Sequence, residues 1–309
     1  MVIGDAHVFV TGAKARLTAI AAADGADAWT KELSSDARLA TGDGMLFIAS
    51  GEKLHALLET TGDERWSVSL PGPTTGPAWS KGLIVFSNGL EIVACRSADG
   101  SEVWRQPVGA EVELPIVVSD GRVIAALANR ALVVLDLPTG AIQKRMLLTA
   151  KPGEMAGSED RVYFGADDGA MYAYRAGSED PVWVFPRIHV NIVGAPVADD
   201  RCVYAAFMDN SVRAFRHGSG TFCWSARALT GRPASGPMLS GGQLVIPLTT
   251  SDLVVIEARD GKPVRRPTVA AQPSSATLQA ISASPDGTSI YIVSVGGDQR
   301  RVLTARRRK

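Results

Sequence analysis

Cysteine is scarce: the 309 residues hold three, Cys95, Cys202 and Cys223. An odd number without metal-ligand spacing excludes a disulfide framework and a thiolate metal site. Cys202 and Cys223 fall on the second and fourth strands of one repeat with a strand between them, so no bridge is expected there. Net charge is missing too, because 32 basic residues balance 32 acidic ones. No overall field points to nucleic acid, and no basic aromatic stripe supplies one locally. No apolar run is long enough for a membrane span. The opening residues Met1-Val-Ile-Gly-Asp5 carry neither a basic leader nor an apolar segment of signal-peptide length, so the expectation is a chain without a targeting segment. The four histidines, His7, His55, His189 and His217, lack zinc-protease spacing, and there is no nucleophile elbow, P-loop or dinucleotide glycine motif. Convincing amphipathic helices are absent as well.

What is present is a repeat. Seven copies of one unit begin at Val8, Met45, Leu83, Val123, Val162, Val203 and Leu244, and nine residues on each has a second apolar position, Leu17, Leu54, Ile92, Leu132, Met171, Val212 and Leu253. Twelve residues further stands Trp29, Trp66, Trp104, Trp183 or Trp224, with Lys144 and Arg265 in the fourth and seventh copies. Glycine precedes that position by four residues at Gly25, Gly62, Gly100, Gly140, Gly220 and Gly261, and only Glu179 departs. A short polar residue before each glycine supplies hairpin chemistry. Asp167-Asp168-Gly169 joins the first two runs of its copy as a hairpin turn rather than a calcium loop, whose full ligand series is missing.

A further short run precedes most units, as in Gly76-Pro77-Ala78-Trp79, Leu114-Pro115-Ile116-Val117, Gly194-Ala195-Pro196-Val197 and Gly236-Pro237-Met238-Leu239. Four strands in about forty residues match a β-propeller blade. Copies start 37, 38, 40, 39, 41, 41 and 46 residues apart, and all of that variation lies between one Trp position and the next copy. The expected fold is therefore all-β: a propeller of eight four-stranded blades, or seven, spanning residues 1–305 as one domain, with 306–309 as a basic tail. The eighth unit opens at Ile290 and loses register, since Val302-Leu303 follows after twelve residues instead of nine. The first and last blades are expected to be incomplete, with the closing strand supplied by a longer parent chain. The repeated Trp should fill the space between neighbouring blades.

The units resemble the PQQ-like repeat, the blade of quinoprotein dehydrogenases and of BamB-type outer-membrane assembly lipoproteins. The resemblance rests on Leu17-Thr-Ala19-Ile, Leu54-His-Ala56-Leu, Met171-Tyr-Ala173-Tyr and Val212-Arg-Ala214-Phe, each followed at fixed spacing by Gly, or by Glu179, and then by Trp. It implies one of two activities. A quinone-dependent dehydrogenase would need a stacking Trp, carboxylates for calcium and, in the alcohol dehydrogenases, a pair of adjacent cysteines. Trp79, Glu113 and Glu154 lie on first strands and are the residues to test for pyrroloquinoline quinone and calcium, but no two cysteines are adjacent. The other activity is a non-catalytic scaffold for protein binding, in the periplasm or cell envelope by resemblance, with no cofactor and no catalytic or metal residues. Its partner-binding candidates lie on the variable connections: Phe185, Arg187, His189, Arg227, Arg232, Arg300 and Arg301. A sensor domain of a larger protein is a third possibility. The scaffold reading is preferred.

Overall fold

The computed structural model describes residues 1–11, 16–33, 37–186, 190–250, 252–264, 277–283, 289–295 and 301–307, with backbone alone for the last three segments. All regular elements among them are strands. By contact the chain separates into two compact units, Met1–Leu147 and Leu148–Lys309.

The first unit holds four antiparallel sheets, each a simple meander. They are β1 (Val2–Ile3), β2 (His7–Thr11), β3 (Arg16–Ala21) and β4 (Asp27–Glu32); β5 (Arg38–Gly42), β6 (Met45–Ser50), β7 (Lys53–Leu58) and β8 (Glu64–Ser69); β9 (Ala78–Ser80), β10 (Leu83–Asn88), β11 (Glu91–Arg96) and β12 (Glu102–Pro107); and β13 (Val117–Ser119), β14 (Arg122–Ala126), β15 (Ala131–Asp136) and β16 (Ile142–Leu147). The second unit continues with β17 (Pro152–Ser158), β18 (Arg161–Ala166), β19 (Met171–Arg175) and β20 (Pro181–Phe185), then β21 (Ile192–Ala198), β22 (Cys202–Phe207), β23 (Val212–Arg216) and β24 (Phe222–Ala226). Its third sheet is β25 (Met238–Ser240), β26 (Gln243–Pro247) and β27 (Leu253–Glu257), and its fourth is β28 (Thr277–Ala283), β29 (Ser289–Val295) and β30 (Arg301–Arg307). Within each unit the first strands of successive sheets approach one another: β1, β5, β9 and β13 in the first, β17, β21, β25 and β28 in the second.

The all-β propeller is as expected, but the count of eight four-stranded blades is corrected. Seven sheets carry the repeat, the alternative the spacing allows. Six of these have four strands, and the seventh has three plus a single bridge, Ile256 to Pro263, where its fourth would begin. β28–β30 is an eighth sheet of three strands outside the repeat. The displaced register after Ile290 fits this, because β29 and β30 pair from Ser289↔Arg307 to Val295↔Arg301 across a longer connection.

The core lies between successive sheets. Phe9 and Leu17 pack with Leu46 and Ile48, Val85 and Ile92 with Val123 and Val133, and Tyr204 and Val212 with Leu244 and Ile246. Consecutive residues are therefore buried on both faces, and Leu132 through Leu135 have no exposed surface at all. First strands pair on one side only, so proline costs no ladder bond there, and Pro196 sits in a bulge between Val193 and Val197.

The repeated Trp and Gly form one joint. The indole of Trp104 lies against Gly140 of the next sheet, where a Cβ would stand 2.5 Å from two ring carbons, and its Nε1 donates to Leu137 O at 2.8 Å. Trp29, Trp66, Trp183 and Trp224 repeat this against Gly62, Gly100, Gly220 and Gly261, donating to the carbonyls of Glu59, Ser97, His217 and Ala258. A glycine serves twice here, supplying the positive φ of the turn (72° at Gly140) and leaving a flat floor for the ring.

One expectation about the cysteines is overturned. Cys202 on β22 and Cys223 on β24 are joined by a disulfide although β23 lies between their strands. The ladder explains it. A bulge between Ala214 and Phe215 pairs those residues with Trp224 and Phe222, leaving Cys223 out of register. Its Cα comes within 6.7 Å of Cys202, near the upper end of the disulfide range.

Candidate interaction surface

Each repeat sheet has two working ends, and hydrogen bonds sort them. At one end the variable connection entering or leaving a sheet is tied to a hairpin between second and third strands: Val108 N donates to Leu90 O, Ala128 N to Glu111 O, Met208 N to Asn191 O, Leu229 N to Asn210 O and Thr249 N to Arg232 O. At the other end the turns between first and second strands meet those between third and fourth, as in Ser97 N to Gly82 O and Leu137 N to Gly121 O. The first end carries the connections of variable length, where a rigid frame presents its changeable parts.

In the second unit this end is built around the hairpin joining β22 and β23. Asn191 holds it from one side and Leu229 from the other. Asp209 anchors the turn by accepting from Ser211 N at 3.1 Å. Its second oxygen accepts from Arg213 Nη2 at 2.6 Å, and the guanidinium carbon of Arg213 lies 4.3 Å from the Phe207 ring centroid. The Arg213 side chain is 13% exposed. Burial pulls its pKa below the usual arginine value, Asp209 pulls it back up, and the charge of Arg227 adds to the lowering, so the paired Arg213 lies within the field of a second guanidinium. Beside them Met208 is 44% exposed at the hairpin tip. In the first unit Leu90, at the tip between β10 and β11, is 54% exposed, and Leu147, closing β16, is 77% exposed.

The candidates taken from the sequence divide. Arg227 and Arg232 are exposed on the connection after β24, at this end, and Arg227 joins the Arg213 group. Phe185 closes β20 but is half-buried, its ring 4.9 Å from Phe215 and 5.2 Å from Phe222, so it is chiefly a packing residue. Arg187, His189 and Arg300 lie outside the described residues, and Arg301 is described only as the first residue of β30. Met208, Leu90, Leu147 and Arg213 were not anticipated. For Met208 a signal existed: the matching tip residues are Ser50, Asn88, Ala128, Asp167 and Thr249, small or polar in every case.

The residues considered for a quinone have other contacts in this structure. Trp79 lies face-down on Gly42, where a Cβ would collide with the ring, and its Nε1 donates to Asp43 Oδ2 at 3.0 Å. The ring is thus committed to packing between β5 and β9. Glu154 Oε2 accepts from Ala195 N at 3.1 Å, covering a backbone group that the bulge in β21 leaves unpaired. Glu113 is exposed. The cysteine pair that exists joins residues 21 positions apart, not neighbours. Among the described residues no three His, Cys, Asp or Glu side chains gather as a metal site.

A protein-family model described as outer membrane protein assembly factor BamB matches the chain in three overlapping stretches, residues 13–87, 50–145 and 129–308. Among curated proteins the outer membrane protein assembly factor BamB of Yersinia pestis is 26% identical over 277 residues, covering 82% of this chain and 67% of the relative. Among solved structures, BamB from Moraxella catarrhalis superposes with a TM-score of 0.64 at 16% identity, over 98% of this chain and 92% of its own. The computationally designed Ika8 protein superposes with a TM-score of 0.73 at 17% identity, over 98% and 94%. At those identities the structures speak to the fold alone.

Proposed function

The chain belongs to the family described as outer membrane protein assembly factor BamB, and from that premise we propose that it is a non-catalytic protein-binding scaffold serving the assembly of outer-membrane proteins. The observation that carries the reading is the family match running from residue 13 to residue 308. The relative from Yersinia pestis bears the same description. The reading assigns the work to the hairpin end of the sheets, and its support there is Met208, exposed on the hairpin that also holds Asp209, the partner of Arg213. Met and Arg are both enriched at protein interfaces. The compartment that fits is the cell envelope, and the Cys202–Cys223 bond favours an oxidising one.

No quinone enters this reading, because the Trp79 ring is used against Gly42 and Glu154 is used against Ala195. The test is depletion of the chain in its own host. Folded outer-membrane β-barrel protein, read as the heat-modifiable fraction on gels, should fall, and restoring the chain as Met208→Asp with Arg227→Glu should not rescue it. Barrel levels indifferent to depletion would overturn the proposal.

A further inference from the structure

Cys202 is 2% exposed, while Cys223, one strand beyond its neighbour, is half-buried. Both face the interface with the next sheet: Cys202 is part of the cluster that includes Leu244, Ile246 and Ile256, and Cys223 and Trp224 pack against it. β24 pairs with β23 alone, so it is an edge strand. It nevertheless has to deliver Trp224, whose Nε1 donates to Ala258 O at 2.8 Å and whose ring covers Gly261. Trp29, Trp66, Trp104 and Trp183 are delivered by fourth strands that carry no cysteine. The third cysteine is kept out of the chemistry. Cys95 lies in the other unit, is buried in β11, and burial, helped by the charge of Glu102, pushes its thiol up to about 11.

We infer that Cys202 and Cys223 are a dedicated oxidation site, closed by thiol–disulfide exchange with a disulfide-bearing oxidant, and that the bond fastens the edge strand carrying Trp224. Cys223, the more accessible sulfur, attacks as thiolate one sulfur of the oxidant, whose S–S bond breaks and whose other sulfur leaves as thiolate. Cys202 then gives up its proton and attacks the Cys223 sulfur, forming the internal bond and expelling the oxidant's second thiolate. Two thiols of the chain are oxidised, and the oxidant's disulfide is reduced to two thiols that take up the two protons. This holds whether or not the hairpin end binds a partner.

The experiment counts thiols on the full chain. Cells exporting it are quenched in acid, and the protein is purified, denatured and labelled with a maleimide, with and without prior reduction. One label is expected without reduction, on Cys95, and three after it. Three labels without reduction, or a bond that includes Cys95, would overturn the assignment. The fastening role is read separately. Dithiothreitol should lower the melting temperature of the wild type by roughly 5 °C and speed hydrogen exchange across residues 222–226. It should do neither to Cys202→Ala with Cys223→Ala. Wild-type melting and exchange indifferent to reductant would refute the fastening, and this comparison stands even if the double variant does not fold.

Discussion

The joint between Trp104 and Gly140 can be taken apart with a double-mutant cycle. Trp104 is 8% exposed and donates its one N–H to Leu137 O, so Trp104→Ala removes a large buried side chain and a buried hydrogen bond. A loss of about 4 kcal/mol is expected. Gly140→Ala acts in two ways. At φ 72° an alanine is strained by about 1 kcal/mol. Its Cβ would also stand 2.5 Å from the Trp104 ring, and moving a packed indole costs about 2 kcal/mol more. With the ring gone only the backbone strain is left, so the double variant should lose about 5 kcal/mol where simple addition gives about 7 kcal/mol. Urea unfolding followed by tryptophan fluorescence and circular dichroism supplies the free energies. A cycle additive to within about 0.5 kcal/mol would mean that the ring does not rest on the glycine, and the account of the repeat would fail.

The buried carboxylate of Glu59 makes a second joint, accepting from the backbone N–H groups of Asp5, Ala6 and His7 at 3.0, 2.7 and 2.8 Å; Glu59→Ala should cost about 3 kcal/mol by leaving these donors unmatched, with Glu59→Gln milder, both read by thermal melting. Native Cys95 should resist maleimide at pH 8 and react faster as pH rises towards 11, since only the thiolate reacts and burial holds the thiol protonated; a fast reaction at pH 8 would contradict its burial. Met208→Asp and Arg227→Glu replace exposed side chains, so each should change stability by less than about 0.5 kcal/mol while weakening partner binding, and a large drop in melting temperature would show them to be structural. Titration with pyrroloquinoline quinone and calcium should give no heat and no absorbance change, and stoichiometric binding would restore the dehydrogenase reading.

The repeat was legible because each unit keeps its spacing without a gap, which fixes strand pairing and the face on which each Trp emerges. Even its exceptions are ordered: the copy with Lys144 in place of Trp is followed by the copy with Glu179 in place of glycine. Within each unit the observed indoles rest on glycines, as Trp104 does on Gly140 and Trp183 on Gly220. The disulfide was not legible because a bulge shifts register by one residue without leaving a mark in the spacing, and strand counting alone places Cys202 and Cys223 too far apart. Trp79 was legible as an exception but not in its use, since the role depends on Gly42 of the preceding sheet. Variable connection lengths mark one end of the sheets in the sequence, yet the exposed apolar residues Met208 and Leu90 lie on the hairpins of that end, where the length is constant. Arg213 alternates with buried Val212 and Ala214, and only the fold brings it over Phe207.

The central claim, that the hairpin end is where this chain binds protein, is tested most directly by photo-crosslinking in living cells. A photoreactive amino acid is placed singly at Met208, at Leu90 and at Ile142, which is 38% exposed at the opposite end of its sheet. Adducts with a component of outer-membrane protein assembly from positions 208 or 90, and none from 142, are the predicted result. Adducts from position 142 alone, or from none of the three while depletion still impairs barrel assembly, would contradict it.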